Sequence, residues 1–96
     1  MTIRLSQQVT RFVRDLAPEP RRKMRLALKS LAKGQGDIKA LEGPLSDYWR
    51  LRVGSYRVIL FYPGPNQIEC VFAERRSIIY EIFAETLRER LGRGQL

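Results

Sequence analysis

The sequence contains no histidine and only one cysteine, Cys70, in 96 residues. Without histidine, a Ser–His–Asp triad, a histidine metal site and imidazole acid/base catalysis are all excluded. One cysteine cannot form an internal disulfide, so the chain is not a disulfide-stapled secreted domain. Cys70 lies in an apolar stretch, where we expect a buried structural thiol.

The sequence also lacks an apolar run long enough to span a membrane, and its N-terminus has no signal-peptide pattern. We therefore expect a cytoplasmic protein without a membrane partner. A length of 96 residues suits one domain, 1–96. A hydrophobic content of 44% favours a folded globule over a disordered tail.

Positive charge is what the sequence has in excess. Eighteen Lys and Arg residues face ten Asp and Glu residues, which gives a net charge of +8. A basic surface attracts phosphate backbones, but it attracts acidic proteins and anionic membranes as well. Net charge alone does not choose between these partners.

Apolar residues spaced three and four apart predict two consecutive helices after a short strand at 2–5. The apolar face of the first helix carries Val9, Phe12, Val13 and Leu16, and that of the second carries Met24, Ala27, Leu28 and Leu31. Pro18 stops the first helix, and Gly34 and Gly36 end the second. Together they form a helical hairpin that packs on a sheet.

The period then changes to alternation, which predicts three antiparallel strands at 48–53, 56–62 and 67–73. A connecting stretch with strand character at 38–41 precedes them, and a C-terminal helical pattern follows and ends near residue 91. The predicted fold class is α+β, in the order β-α-α-β-β-β-α. It is a small antiparallel sheet packed by the N-terminal helical hairpin with a C-terminal helix, with the helices on one side.

Strand parity sorts the side chains of the middle strands onto two faces. Gly54 and Ser55 fit a two-residue turn, which places Arg52 opposite Arg57. The face toward the helical hairpin then carries Leu51, Val53, Tyr56, Val58 and Leu60. The opposite face carries Tyr48, Arg50, Arg52, Arg57, Ile59 and Phe61. In the strand at 67–73, Ile68, Cys70 and Phe72 alternate with Glu69, Val71 and Ala73. The pattern does not decide which of these two sets of side chains faces the helices.

The arginines of the second face repel one another. Like charges directly opposed in a sheet cost up to about 1 kcal/mol per pair. An anionic ligand relieves the repulsion between Arg52 and Arg57. Phosphate suits this role, because one guanidinium group donates two parallel hydrogen bonds to two phosphate oxygens. The alternative is local pairing with an acid such as Asp47, Glu69 or Glu74.

Two motifs resemble those of the RelE/ParE toxin superfamily. The first comprises LEG at 41–43 and YWRLRVGSYRVI at 48–59. The second is AERRSIIY at 73–80, in which Arg76 precedes Tyr80 by four residues. The resemblance covers nearly the whole chain and its order of elements. It implies a single RelE/ParE-like toxin domain of a type II toxin–antitoxin system.

The resemblance implies one of two activities. RelE-like members, the favoured branch, are ribosome-dependent mRNA endonucleases that inhibit translation. They use no metal or other cofactor, because a 2′-hydroxyl attacks the adjacent phosphate. ParE-like members share the fold but inhibit DNA gyrase. A third alternative is an inert relative that only binds its antitoxin or regulates transcription with it. The implied partners are a cognate antitoxin with the ribosome and mRNA, or alternatively DNA gyrase.

The positions of the motifs assign roles to individual residues. By resemblance the catalytic residues are Arg50, at a basic position; Arg57, which contacts the reacting phosphate; and Tyr80, which stacks on a base or assists proton transfer. The predicted nucleic-acid-binding residues are Arg52, Tyr48, Arg75 and Arg76. Tyr48 stands where RelE has a second basic residue, so the acid/base pair of the nuclease branch is incomplete. Packing of Tyr80 in the core is the alternative reading.

Overall fold

The computed structural model describes residues 1–92 and confirms the α+β fold. Its strands are β1 (Thr2–Leu5), β2 (Asp37–Ala40), β3 (Trp49–Val53), β4 (Tyr56–Gly64) and β5 (Gln67–Arg75). Its helices are α1 (Gln7–Asp15), α2 (Pro18–Ala32) and α3 (Ile79–Gly92), with a short 3-10 turn at Gly43–Leu45. The stretch with strand character at 38–41 thus forms β2, a fifth strand. None of the helices in residues 1–92 has the length and hydropathy needed to cross a membrane.

The five strands form one sheet in the order β1-β5-β4-β3-β2. Neighbouring strands from β2 to β5 are antiparallel, whereas β1 runs parallel to β5. Gly54 has a φ of +59°, a conformation that glycine adopts at little cost. The turn it starts pairs Arg52 with Arg57, as the sequence predicts. Strands β1 and β2 are the two edges of the sheet.

The helices α1 and α2 cover one face of the sheet and form the main core with it. The buried residues of this core are Val9, Val13, Met24, Leu28, Leu31, Leu51, Val58, Leu60, Ile68, Cys70 and Ala73. Helix α2 ends at Ala32, and Gly34, which the sequence predicts to terminate it, follows with a φ of +75° and an N–H that donates to Leu31 O at 2.8 Å. The next N–H, of Gln35, donates to Ser30 O at 3.0 Å, which satisfies a carbonyl left open at the helix end.

Helix α3 packs on the opposite face, so the expectation that the helices lie on one side is wrong. Ile59 points away from the hairpin and is fully buried, because Ile79 and Phe83 of α3 cover it. Val71 and Phe72 of β5 extend the same apolar surface. An apolar patch on the second face must be removed from water, and α3 is the element available to cover it.

Strand β5 contains an irregularity that the alternation of its sequence does not reveal. Val58 pairs with Ala73 and Leu60 pairs with Cys70, so β5 has one residue more than β4 between these two pairs. Such a bulge changes which side chains face each layer. As a result Ile68, Cys70 and Ala73 all face the hairpin.

Beyond the end of β1, the side chains of Ser6 and Gln8 take over the pairing with β5. Ser6 Oγ donates to Val71 O at 2.9 Å and accepts from Val9 N–H at 3.2 Å, which caps α1. Gln8 Nε2 donates to Ala73 O at 2.7 Å, and Ala73 N–H donates to Gln8 Oε1 at 2.8 Å. The amide of Gln8 therefore occupies the place of a strand residue and fixes α1 on the sheet.

Candidate functional site

A polar pocket of about 370 Å³ lies on the sheet face away from the hairpin. Its lining side chains are Arg50, Arg52, Arg57, Arg76 and Tyr80. The structure thus brings together all three residues predicted to be catalytic and two of the four predicted to bind nucleic acid. We call this set the arginine pocket.

Local geometry explains why these residues meet. Arg50 and Arg52 are two residues apart on β3, so both project from the same face, and Arg52 pairs with Arg57 on β4. Arg76 follows the end of β5, and its N–H donates to Ser55 O at 2.8 Å. That bond ties the connection between β5 and α3 to the β3–β4 turn, and α3 then begins beside the pocket.

Arg57 is the most buried member of the pocket, with 6% of its surface exposed. Its Nη1 donates to Gly54 O at 2.7 Å and to Tyr56 O at 2.9 Å. Burial lowers the pKa of its guanidinium, and the positive charge of Arg52 lowers it further. An arginine keeps its charge at neutral pH despite such a shift. Arg57 is therefore a fixed cation held by its own turn.

Arg50 has an acidic partner that the sequence analysis did not name. Its Nη1 lies 3.1 Å from Asp37 Oδ1 and donates to Asp37 O at 2.9 Å. Asp37 begins β2 and stands opposite Arg52 in the register. The strand character at 38–41 indicated that a strand lies near Arg50. It did not indicate how that strand aligns with β3, which is what brings Asp37 to Arg50. The ion pair balances one charge of the pocket.

The remaining arginines keep their charge unbalanced. Glu74 stands opposite Arg57 in the register, yet its Oε1 accepts from the backbone N–H of Arg75 at 2.9 Å. Within residues 1–92, no salt bridge joins Arg52, Arg57 or Arg76 to a carboxylate. An anion with several oxygens would therefore find three cations concentrated around one concavity.

Two predicted nucleic-acid-binding residues do not line the arginine pocket. The ring of Tyr48 packs edge-on against Phe83 with centroids 5.0 Å apart. It thus joins the second core, the cluster of Ile59, Ile79 and Phe83 between the sheet and α3. Arg75 pairs with Tyr56 in the register and so lies on the face toward the hairpin. Both remain near the site in sequence, but strand parity and the second core separate them from it.

Tyr80 contributes to both the core and the pocket. Its partly buried ring packs against the second core around Ile59, while the side chain also lines the arginine pocket. Among the side chains that line this pocket, Tyr80 is the one that is not an arginine, and its hydroxyl can both donate and accept a hydrogen bond. The described residues hold no cluster of three or more His, Cys, Asp or Glu side chains suited to a metal ion.

No protein-family model matches the sequence, and no curated protein matches it either. Solved structures do match the fold. The RelB–RelE antitoxin–toxin complex of Methanococcus jannaschii gives a TM-score of 0.65 at 21% identity and covers 82% of this chain and 96% of that one. The RelBE2 toxin–antitoxin complex of Mycobacterium tuberculosis gives 0.65 at 19% identity, covering 78% and 96%. A YoeB/ParE toxin from Agrobacterium tumefaciens gives 0.57 at 18%, covering 79% and 99%.

The chain therefore has the RelE/ParE toxin fold, as its two motifs imply.

Proposed function

We propose that this protein is the toxin of a type II toxin–antitoxin system and cleaves mRNA on the ribosome in the cytoplasm. The observation that carries the proposal is the arginine pocket, in which Arg52, Arg57 and Arg76 have no carboxylate partner among the described residues. The fold supports it, because solved structures of this fold include complexes of RelE and YoeB toxins.

In the proposed reaction, the arginine pocket holds the phosphate that is cut. The 2′-oxygen of the preceding ribose bonds to phosphorus and loses its proton, while the bond from phosphorus to the 5′-oxygen breaks and that oxygen gains a proton. Arg52 and Arg57 neutralise the extra negative charge that develops on the phosphoryl oxygens. Tyr80 hydrogen-bonds to one of the reacting oxygens or stacks on the flanking base.

We further propose that a cognate antitoxin neutralises the protein. Three of the solved structures that share the fold are toxin–antitoxin complexes. The net charge of +8 favours a partner with an excess of acidic residues.

A second candidate function is inhibition of DNA gyrase without nuclease activity. The lining of the arginine pocket contains no carboxylate, which leaves Tyr80 alone for proton transfer. Arg57 Nη1 also donates to the backbone oxygens of Gly54 and Tyr56, so this nitrogen already has partners within its own turn. A pocket of this kind suits a protein that binds an anionic surface without cutting it.

The experiment is a translation reaction with purified protein, followed by primer extension on the mRNA. We expect cuts that require engaged ribosomes, and a loss of roughly 10²-fold or more in cutting for Arg52→Gln and for Tyr80→Phe. Arg11→Gln, at an exposed position of α1, and Tyr62→Phe, at an exposed tyrosine of β4, are the matched controls.

Full cutting by Arg52→Gln and Tyr80→Phe would refute the assigned roles. Intact mRNA in the presence of active ribosomes would refute the nuclease itself. A supercoiling reaction with purified gyrase then tests the second candidate, which predicts relaxed DNA.

A further inference from the structure

The four arginines of the arginine pocket fall into two pairs. Arg57 is buried and the side chain of Arg50 is 17% exposed, whereas Arg52 and Arg76 are exposed residues. Hydrogen bonds divide the four in the same way. Within residues 1–92, only the guanidinium groups of Arg50 and Arg57 among them donate to protein oxygens. The pocket therefore combines two fixed guanidinium groups with two that no such bond holds.

The two fixed groups are held through the same nitrogen. Arg57 Nη1 donates to Gly54 O at 2.7 Å and to Tyr56 O at 2.9 Å. Arg50 Nη1 donates to Asp37 O at 2.9 Å and to Asp37 Oδ1 at 3.1 Å. In both arginines, Nε and Nη2 have no protein partner within residues 1–92. Because a guanidinium group has five N–H donors, each can stay fixed through Nη1 and still donate to an anion.

The oxygens that hold the two groups differ in kind. Those that hold Arg57 are backbone carbonyls of its turn, which a side-chain substitution does not remove. One of those that hold Arg50 belongs to the carboxylate of Asp37, whose side chain is 56% exposed on the edge strand β2. In the register Asp37 stands opposite Arg52, so its contact with Arg50 runs diagonally between the strands. Backbone pairing alone does not produce that contact, which depends on the side chain of Asp37.

We propose that Asp37 is a positioning residue of the arginine pocket, which fixes Arg50 for a phosphate group of RNA. Arg50 and Arg57 then donate to the phosphate from β3 and β4 as rigid groups, while Arg52 and Arg76 adapt to it. A side chain that is already ordered loses less entropy when the ligand binds, so the anchor favours binding. The identity of the anion rests on the proposed function, whereas the action of Asp37 on Arg50 does not.

Two substitutions of Asp37 separate this anchor from the effect of charge. A carboxylate beside the pocket also repels an anion, so removal of its charge alone should tighten binding. Asp37→Asn and Asp37→Ala both remove the charge, but only asparagine keeps a side-chain oxygen that can accept from Arg50. A difference between the two variants therefore reports the anchor and not the charge.

The first measurement is the rotation of each guanidinium group about its Cζ–Nε bond, by NMR of the full chain labelled with ¹³C and ¹⁵N. We expect slow rotation for Arg50 and Arg57 and fast rotation for Arg52 and Arg76. Asp37→Ala should accelerate the rotation of Arg50 roughly tenfold and leave that of Arg57 unchanged, and Asp37→Asn should accelerate it less. Equal rotation of Arg50 in the wild-type protein and in Asp37→Ala would overturn the proposal.

The second measurement is the binding of a short single-stranded RNA by fluorescence anisotropy. Its 2′-oxygens are methylated, so that it cannot be cut. We expect Asp37→Ala to bind this RNA about two- to tenfold more weakly than Asp37→Asn does. Equal affinities would show that only the charge of Asp37 acts on the ligand, and would overturn the positioning role. Absence of RNA binding by the wild-type protein would overturn the assigned ligand.

Glu74, on the strand at the other side of the pocket, is the matched control. It stands opposite Arg57 in the register, but its carboxylate accepts from the backbone N–H of Arg75 and forms no salt bridge within residues 1–92. Glu74→Gln and Glu74→Ala should therefore bind the RNA equally, and neither should change the rotation of Arg50. A difference as large as that between the two Asp37 variants would overturn the specific role of Asp37.

Cleavage of mRNA on the ribosome is measured separately on the wild-type protein. Slow rotation of Arg50 and the expected order of RNA affinities, without cuts, would refute the proposed nuclease and leave this inference standing. Cuts by a protein in which Arg50 rotates as fast as Arg52 would leave the nuclease standing and remove only this inference.

Discussion

The two faces of the sheet are built from the same strands, but one forms the main core and the other carries the arginine pocket. On β4, Val58 and Leu60 face the hairpin and are fully buried, whereas Arg57 and Ile59 face the other way. The hairpin face is closed and apolar. The second face is only half covered by α3, and its uncovered half is the arginine pocket.

The difference shows how a small domain can separate stability from binding. With 96 residues the chain has one main core, which burial on the hairpin face supplies. On the second face, Arg52 is placed against Arg57, an arrangement that costs stability rather than adding to it. Because successive side chains of a strand point to opposite faces, residues that stabilise the core and residues that bind an anion can alternate along the same strand.

Neighbouring substitutions on β3 provide the strongest test of this separation. Leu51→Ala should lower the free energy of unfolding by about 2–5 kcal/mol, since Leu51 is 1% exposed within the main core. Arg52→Ala, one residue away on the other face, should not lower it. Urea unfolding followed by circular dichroism measures both. An equal loss in the two variants would contradict the division between the faces.

The pH dependence of Cys70 probes the closed face alone. Burial raises the pKa of its thiol from 9.0 to about 12, so the unfolded chain loses this proton before the folded one does. The associated stability is fully present below pH 9 and is lost as the pH rises toward 12, with a size of a few kcal/mol.

We expect Cys70→Ala to be less stable at neutral pH but to lose less stability between pH 9 and pH 11. Urea unfolding across this range checks it, since the other titrating groups are common to both proteins. Parallel curves for the two proteins would show that ionisation of Cys70 is not coupled to unfolding.

What the sequence predicts well follows from local rules. The turn at Gly54 and Ser55 fixes the pairing of β3 with β4, and with it the meeting of Arg50, Arg52 and Arg57. The helical hairpin follows equally from periodicity and from the residues at its ends.

What it misses depends on register between distant segments. The bulge in β5, which places both Cys70 and Ala73 on the hairpin face, has no local signal. To predict the ion pair between Asp37 and Arg50, one must know the register of β2 against β3. To predict the position of α3, one must know that Ile59 on the second face has to be covered. These features arise from packing between elements, and no single stretch of sequence contains them.

Gln8 tests whether the closed face also depends on a polar contact. Gln8→Ala should lower the free energy of unfolding by about 1–3 kcal/mol, because it leaves the N–H and C=O of Ala73 without partners. The neighbouring Gln7→Ala, at an exposed position, should change it by less than about 0.5 kcal/mol. Chemical unfolding of the three proteins in parallel decides the question. Similar values for both variants would mean that water replaces the amide of Gln8 without loss.

The smallest effect is expected at Arg52 and Arg57, the two cations that stand opposite each other on the second face. Arg52→Gln removes one of two facing cations, so it should raise the free energy of unfolding by up to about 1 kcal/mol. The same change should weaken binding to a short single-stranded RNA and reduce the salt dependence of that binding by about one charge. Fluorescence anisotropy across a salt series measures the second effect. A variant that loses stability and keeps its RNA affinity would mean that Arg52 supports the fold and does not contact the nucleic acid. A gain in stability together with a loss in affinity would mean that the protein keeps this repulsion because an anion relieves it.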